Sequence, residues 1–149
     1  LLERGGSVAL AESCTGGAVA QRLCGVPGVS EVLREGLVTY SNEAKAERLG
    51  VPTRLLEEHG AVSAEVALAM ARGLAETSGA RLVGAVTGIA GPGGGSEHKP
   101  VGRVHFAVGL DGSFKASEVT FPDRGRAYVQ AWSTNTLLHL LLCSLGEGR

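Results

Sequence analysis

The stretch SVALAESCTGGAVAQRL, residues 7–23, decides the fold class. Ser7 to Ala11 is a short apolar run of strand character, and the polar pair Glu12-Ser13 ends it. Gly16 to Leu23 then reads as a helix. A strand that feeds straight into a helix is the opening of a layered α/β unit.

Outward from this stretch the alternation repeats. Gly36 to Tyr40 (GLVTY) reads as a second strand, closed by Ser41-Asn42, a good helix N-cap pair. Glu43 to Leu49 continues as a helix until Gly50 and Pro52 stop it, and Thr53 to His59 reads as a short helix. Ser63 caps the clearest helix, in which Val66, Met70 and Leu74 with Ala67 and Ala71 form a stripe at helical spacing that ends at Gly79. Leu82 to Val86 is a buried strand, followed by a glycine-rich run from Thr87 to Gly95. Val101 to Leu110 and Phe114 to Phe121 are strands joined by Asp111-Gly112, a strong hairpin signal that makes the sheet mixed. Ala127 to Leu145 is a final helix, and no linker interrupts the chain.

The 149 residues fit a single domain spanning 1–149, large enough to bury roughly two-thirds of its unfolded surface. Hydrophobic residues at 44% and charged residues at 19% exclude disorder. The net charge of −1, without a block of Lys and Arg, argues against a nucleic-acid partner. Cys14, Cys24 and Cys143 have no CxxC spacing and leave an odd thiol, as expected of a reduced, cytoplasmic protein. The richest apolar stretch, Leu137 to Leu145, contains His139 and Ser144 and is too short for a bilayer, so no membrane partner is expected. The four histidines are scattered with no HxxxH pair, and no metal site is expected. The chain starts at Leu1 without an initiator Met and becomes strand-like by Ser7, as in a trimmed protein or the last domain of a longer one.

Three segments that follow strands carry the chemical possibilities, because ligands of open α/β sheets bind beyond the carboxyl ends of strands. In AESCTGG (11–17), Ser13 is either a helix cap or a nucleophile facing backbone donors, and Cys14 is an alternative nucleophile or a buried thiol. In YSNEAK (40–45), Lys45 is either a solvated surface residue or, if desolvated, a general base for a serine. Its YxxxxK spacing, and a first turn lacking GxGxxG, exclude a short-chain dehydrogenase. Thr87 to Ser96 is either a flexible loop or an anion nest, and it lacks the Lys-Ser/Thr pair of a P-loop. Asp123-Arg124 before the last helix reads as an Asx cap, with phosphate binding a lesser reading.

Together the motifs AESCTGG (11–17), VPG (26–28), GLVTYSNEAK (36–45) with LGV (49–51), GAVS (60–63) and VTGIAGPGGGSEHKPVG (86–102) resemble the CinA-like family, the nicotinamide-nucleotide amidases found alone or as the C-terminal domain of CinA proteins. They run in family order across most of the chain. The sequence departs from the pattern at Pro122, where a Gly is frequent, and at His98, where an acidic residue is common.

The resemblance implies a three-layer α/β/α fold with a mixed, mostly parallel sheet. It implies deamidation of nicotinamide mononucleotide to nicotinate mononucleotide and ammonia, with Ser13 as nucleophile, Lys45 as general base and Tyr40 as a hydrogen-bonding aid. It places the nucleotide against Thr15, Gly16, Gly17, Asn42, Thr87, Gly88, Gly91, Gly93 and Gly94, and needs no cofactor. The expected partners are the nucleotide substrate, other copies of the chain in a homo-oligomer, and an upstream CinA N-terminal domain. Two other readings compete: a non-catalytic nucleotide-binding or regulatory domain of a larger CinA-type protein, and a Cys14 hydrolase or thiol-redox enzyme.

Overall fold

The structure is a computed structural model that describes Leu1 and residues 5–146. Its sheet holds β1 (Val8–Glu12), β2 (Leu33–Val38), β3 (Leu82–Gly88), β4 (Arg103–Leu110) and β5 (Ser113–Thr120) in the order β2-β1-β3-β4-β5. β2, β1 and β3 are parallel; β4 pairs antiparallel with both β3 and β5. β4 alone therefore runs against the others, and the sheet is mixed but mostly parallel. Glu12 pairs with Val38 on one side and Val86 on the other, so β1 and β2 end level at one rim and β3 runs two residues further, to Gly88.

The helices are α1 (Ala18–Cys24), α2 (Asn42–Leu49), α3 (Thr53–His59), α4 (Ala64–Ser78) and α5 (Arg126–Ser144). Side chains alternate across a strand, and β1 shows the consequence. Val8 and Leu10 join Val19 of α1 and Val129, Leu137 and Leu141 of α5. Ala9 and Ala11 join Val66, Met70 and Leu74 of α4, with Leu49 and Leu56 from α2 and α3. Each large side chain so buried stabilises the fold by roughly 1.5–3 kcal/mol. The result is a three-layer α/β/α domain.

Local chemistry sets the boundaries. Ser41 and Ser63 cap α2 and α4 by accepting from the amides of Ala44 and Val66, and Gly79 ends α4 in the left-handed conformation. Asp111 and Gly112 both have positive φ (49° and 84°), as a tight turn between twisted strands demands. The first helix begins at Ala18 rather than Gly16, because Gly16 and Gly17 have φ of 64° and 99°. The second strand corrects the reading more substantially. It starts at Leu33 and ends at Val38, so Tyr40 lies beyond the ladder rather than closing it. As an edge strand with alternate residues exposed, it accommodates Arg34 and Glu35, which lack strand character. A 3₁₀ turn at Val29–Glu31 precedes it and had no sequence signal strong enough to place it.

Candidate active site

The rim formed by the carboxyl ends of β1, β2 and β3 holds the candidate chemistry. Ser13 follows the last residue of β1, its amide bonded to the Val86 carbonyl at 3.0 Å, and is 8% exposed. One position earlier, Glu12 points toward α1; Ser13 therefore faces the α2 and α4 side. There it meets Lys45, whose Nζ lies 3.1 Å from Ser13 Oγ.

Lys45 is 0% exposed and is the largest fully buried side chain among the described residues. Its Nζ has two further partners, the carbonyls of Thr39 (2.8 Å) and Tyr40 (3.1 Å). None of the three is a carboxylate. Burial without a compensating anion pushes the Lys45 ammonium below its ordinary pKa, opposed only by a weaker attraction from the Cys14 side. A neutral amine has two N–H donors and one lone pair. Two carbonyls and one hydroxyl match that inventory, with the lone pair left for the Ser13 proton.

The backbone makes this cage. The Thr39 amide still pairs with the Glu12 carbonyl (2.9 Å), but the chain then turns into α2, so the consecutive carbonyls of Thr39 and Tyr40 are turned to Lys45 at the rim. The Tyr40 ring itself is 56% exposed, and its hydroxyl accepts from Arg126 Nη2 at 2.7 Å. Tyr40 therefore reaches Lys45 through its backbone. Asn42 lies on the outward side of α2, lining a hollow of about 410 Å³ with Glu43, Glu47 and Thr53 of α3.

Thr15 Oγ1 donates to Glu12 Oε2 at 2.7 Å, and no acceptor meets the Thr15 amide among the described residues. The two amides that follow it are engaged: Gly16 donates to the Ser13 carbonyl (3.0 Å) and Gly17 to Glu12 Oε2 (3.1 Å). Thr87 is 1% exposed and donates to the Ala61 carbonyl at 2.8 Å, tying β3 to the turn before α4. At Gly88 a Cβ would sit 2.7 Å from Val104 Cγ2, so the strand can pass β4 only as glycine. The Gly91 carbonyl accepts from Arg126 Nη1 (3.1 Å), while Gly93 and Gly94 line a hollow of about 430 Å³ with Ser96, Val101 and Asp123. A cavity of about 700 Å³ lined by Gly5, Glu31, Arg34 and Thr77 contains none of these residues.

Three residues that the sequence reading passed over belong to this rim. Glu12 is 1% exposed and binds the start of α1. Its signal was a carboxylate directly at the end of an apolar run, ahead of a helix whose Gly17 cap has no side chain. Gln130 donates to the Cys14 carbonyl at 2.9 Å. Arg126 bridges Tyr40 and Gly91, and its signal was a cation at the first position of a helix, where the macrodipole disfavours one. Arg124 instead stacks its guanidinium 5.5 Å from the Tyr128 ring centre, and Asp123 accepts from the Gly125 amide as an Asx cap. Cys14 is 4% exposed, packed in the core with Val19 and Val129, and burial pushes its thiol up to about 12. It stays protonated at neutral pH, a poor nucleophile.

A three-layer α/β/α domain with a buried Ser–Lys pair at the carboxyl ends of its parallel strands defines the class. The chain belongs to the family of the CinA C-terminal domain, whose family model matches residues 1–145. It is 49% identical over 141 residues to a putative competence-damage inducible protein of Clostridium perfringens, covering 95% of this chain and 33% of that protein. It is 62% identical over 104 residues to a CinA-like protein of Geotalea daltonii, covering 70% of this chain and 25% of that one. The chain thus spans a quarter to a third of the length of these relatives. A competence/damage inducible protein from Agrobacterium tumefaciens superposes with a TM-score of 0.93 at 45% identity, covering 95% of this chain and 86% of the other. The competence damage-inducible protein A from Klebsiella pneumoniae gives 0.94 at 34% identity, covering 100% and 92%. No helix among the described residues is long and apolar enough to cross a membrane.

Proposed function

We propose that this domain is an amidohydrolase that converts nicotinamide mononucleotide to nicotinate mononucleotide and ammonia, with Ser13 as nucleophile and Lys45 as general base. The observation that carries the reading is the buried Lys45 Nζ, 3.1 Å from Ser13 Oγ and held by two backbone carbonyls. A lysine buried without a counter-anion is costly to a fold, and base chemistry gives it a reason to be there.

The neutral amine takes the Ser13 hydroxyl proton as Oγ attacks the carboxamide carbon. The Thr15 amide, left open in the turn together with that of Cys14, receives charge on the carbonyl oxygen; such a donor is worth about 3–4 kcal/mol of barrier. Lys45 returns the proton to the departing nitrogen, ammonia leaves, and an acyl ester remains on Ser13. Lys45 then takes a proton from water, the resulting hydroxide attacks the ester, the carboxylate product leaves with the Ser13 hydroxyl restored, and Lys45 gives up its proton to solvent. These steps transfer protons and one acyl group and call for no cofactor. The cationic pyridinium ring of the substrate makes its carboxamide carbon more electrophilic.

Arg126 supports a nucleotide substrate over a bare amide. It is an exposed cation between Tyr40 and the Gly91 loop, with donors beyond those bonded to them, and it suits a phosphate at the rim. The same reading places the domain in the cytoplasm as a homo-oligomer, joined in longer proteins to an upstream CinA N-terminal domain.

The test is product balance. Incubation with nicotinamide mononucleotide should yield ammonia and nicotinate mononucleotide in equal amounts, read by a coupled ammonia assay and anion-exchange chromatography. Binding of the nucleotide with neither product formed would favour the regulatory reading instead.

A further inference from the structure

Glu12 is a buried carboxylate that the proposed chemistry does not use, and every one of its partners lies in the segment that carries the nucleophile. Oε2 accepts from Thr15 Oγ1 (2.7 Å), the Gly17 amide (3.1 Å) and the Val19 amide (3.0 Å); Oε1 accepts from the Ala20 amide (2.8 Å). Four donors from residues 15–20 thus converge on one side chain that is 1% exposed. The start of α1 is occupied by the protein's own carboxylate and offers no anion site to a ligand.

Residues 13–15 are held between this clamp and the sheet. The Ser13 amide is fixed on Val86, the Cys14 carbonyl on Gln130 and the Thr15 side chain on Glu12. Gly16 and Gly17 both lie in the left-handed region, so the turn has no rigidity of its own from bulky side chains. We propose, on the amidase reading above, that Glu12 is a positioning residue for Ser13: its carboxylate locks the 13–17 turn so that Ser13 Oγ stays on Lys45. Glu12 does this from the opposite face of the sheet. Val8 and Leu10, which share its side of β1, pack with α1 and α5, whereas Lys45 lies in α2 on the other side. It therefore acts on the geometry of the dyad and leaves the basicity of Lys45 alone.

A fluorophosphonate probe reads this without any amide substrate. Ser13 Oγ bonds to phosphorus, fluoride leaves, and the hydroxyl proton passes to Lys45. The rate and its pH dependence are measured on wild type, Glu12→Gln and Ser13→Ala as the blank, with circular dichroism and melting curves for each. Glu12→Gln, which turns an N–H₂ toward donors, is expected to label about 10- to 100-fold more slowly at an unchanged pH midpoint. Labelling of a folded Glu12→Gln within twofold of wild type, or a shifted midpoint, overturns the inference while leaving the dyad intact. Should Glu12→Gln not fold, Thr15→Val decides: it removes one donor to Glu12 and should slow labelling, with Thr15→Ser recovering most of the loss. Equal rates for Thr15→Val and wild type overturn the inference. Absence of Ser13 labelling in wild type would instead sink the nucleophile assignment and this inference with it.

Discussion

The carbonyl of Leu49, at the end of α2, rests directly on the backbone of α4 at Gly73. A Cβ built on Gly73 would lie 1.7 Å from that oxygen. This contact brings the helix bearing Lys45 down onto the α4 layer, and it bears directly on how the dyad is built.

On an open helix surface, alanine in place of glycine would gain about 1 kcal/mol. Here Gly73→Ala forces α2 outward and should cost on the order of 1–3 kcal/mol, lowering the melting temperature by several degrees. Because Lys45 moves with α2, amidase turnover should fall as well. Calorimetry that found the variant as stable as wild type would refute the packing argument.

Lys45 also predicts a pH dependence of stability. Its pKa in the folded protein lies below the unfolded value, so between the two the unfolded state binds more protons. The free energy of unfolding should therefore rise with pH through that window and level off above about 10.4, the ordinary lysine value. Lys45→Met, which cannot be charged, should lack this component. Melting curves of both proteins from about pH 6 to about pH 10 check it; parallel curves would mean that Lys45 is not held neutral.

Cys14 should resist alkylation. With its thiol pushed up to about 12 by burial, it carries almost no thiolate near neutral pH, whereas Cys24 and Cys143 are exposed. Treatment with iodoacetamide should modify the two exposed thiols, as read by peptide mass spectrometry, with turnover retained. Inactivation that tracks modification of Cys14 would revive the thiol mechanism.

Arg126→Ala should raise KM for nicotinamide mononucleotide about 10- to 100-fold with a smaller change in kcat, the loss expected for a charged hydrogen-bond donor. Arg126→Lys should restore little, because an ammonium cannot span both the Tyr40 hydroxyl and the Gly91 carbonyl. The phosphate-free riboside should be a poor substrate for wild type and no worse for the variants. An unchanged KM for the mononucleotide would remove Arg126 from the substrate's path.

Much of the fold was legible because its signals are local. The Ser41 and Ser63 caps, the Gly79 stop and the Asp111-Gly112 turn each act within a few residues. The start of β2 was not, since Leu33 to Glu35 owe their strand conformation to pairing with Val8 and Ala9, far away in sequence. The same distinction divides the site. Ser13 and Lys45 sit in recognisable motifs, but the side chain of Lys45 could equally have been solvated; only the tertiary packing of α2 buries it. The roles of Tyr40 and Arg126 depend on a contact between residues 86 apart, and no spacing rule reaches that far. Glu12 was hidden because three of its four partners are backbone amides, which every sequence possesses.

The most direct measurement of the central claim is the initial rate of ammonia release from nicotinamide mononucleotide by wild type, Ser13→Ala and Lys45→Arg, each shown to be folded. The arginine keeps a positive charge but cannot give up its proton at neutral pH, so it distinguishes a base from a mere cation. The account predicts turnover by wild type and a fall of at least about a thousandfold for both variants. Turnover that survives Ser13→Ala, or a Lys45→Arg protein that works at the wild-type rate, would contradict it.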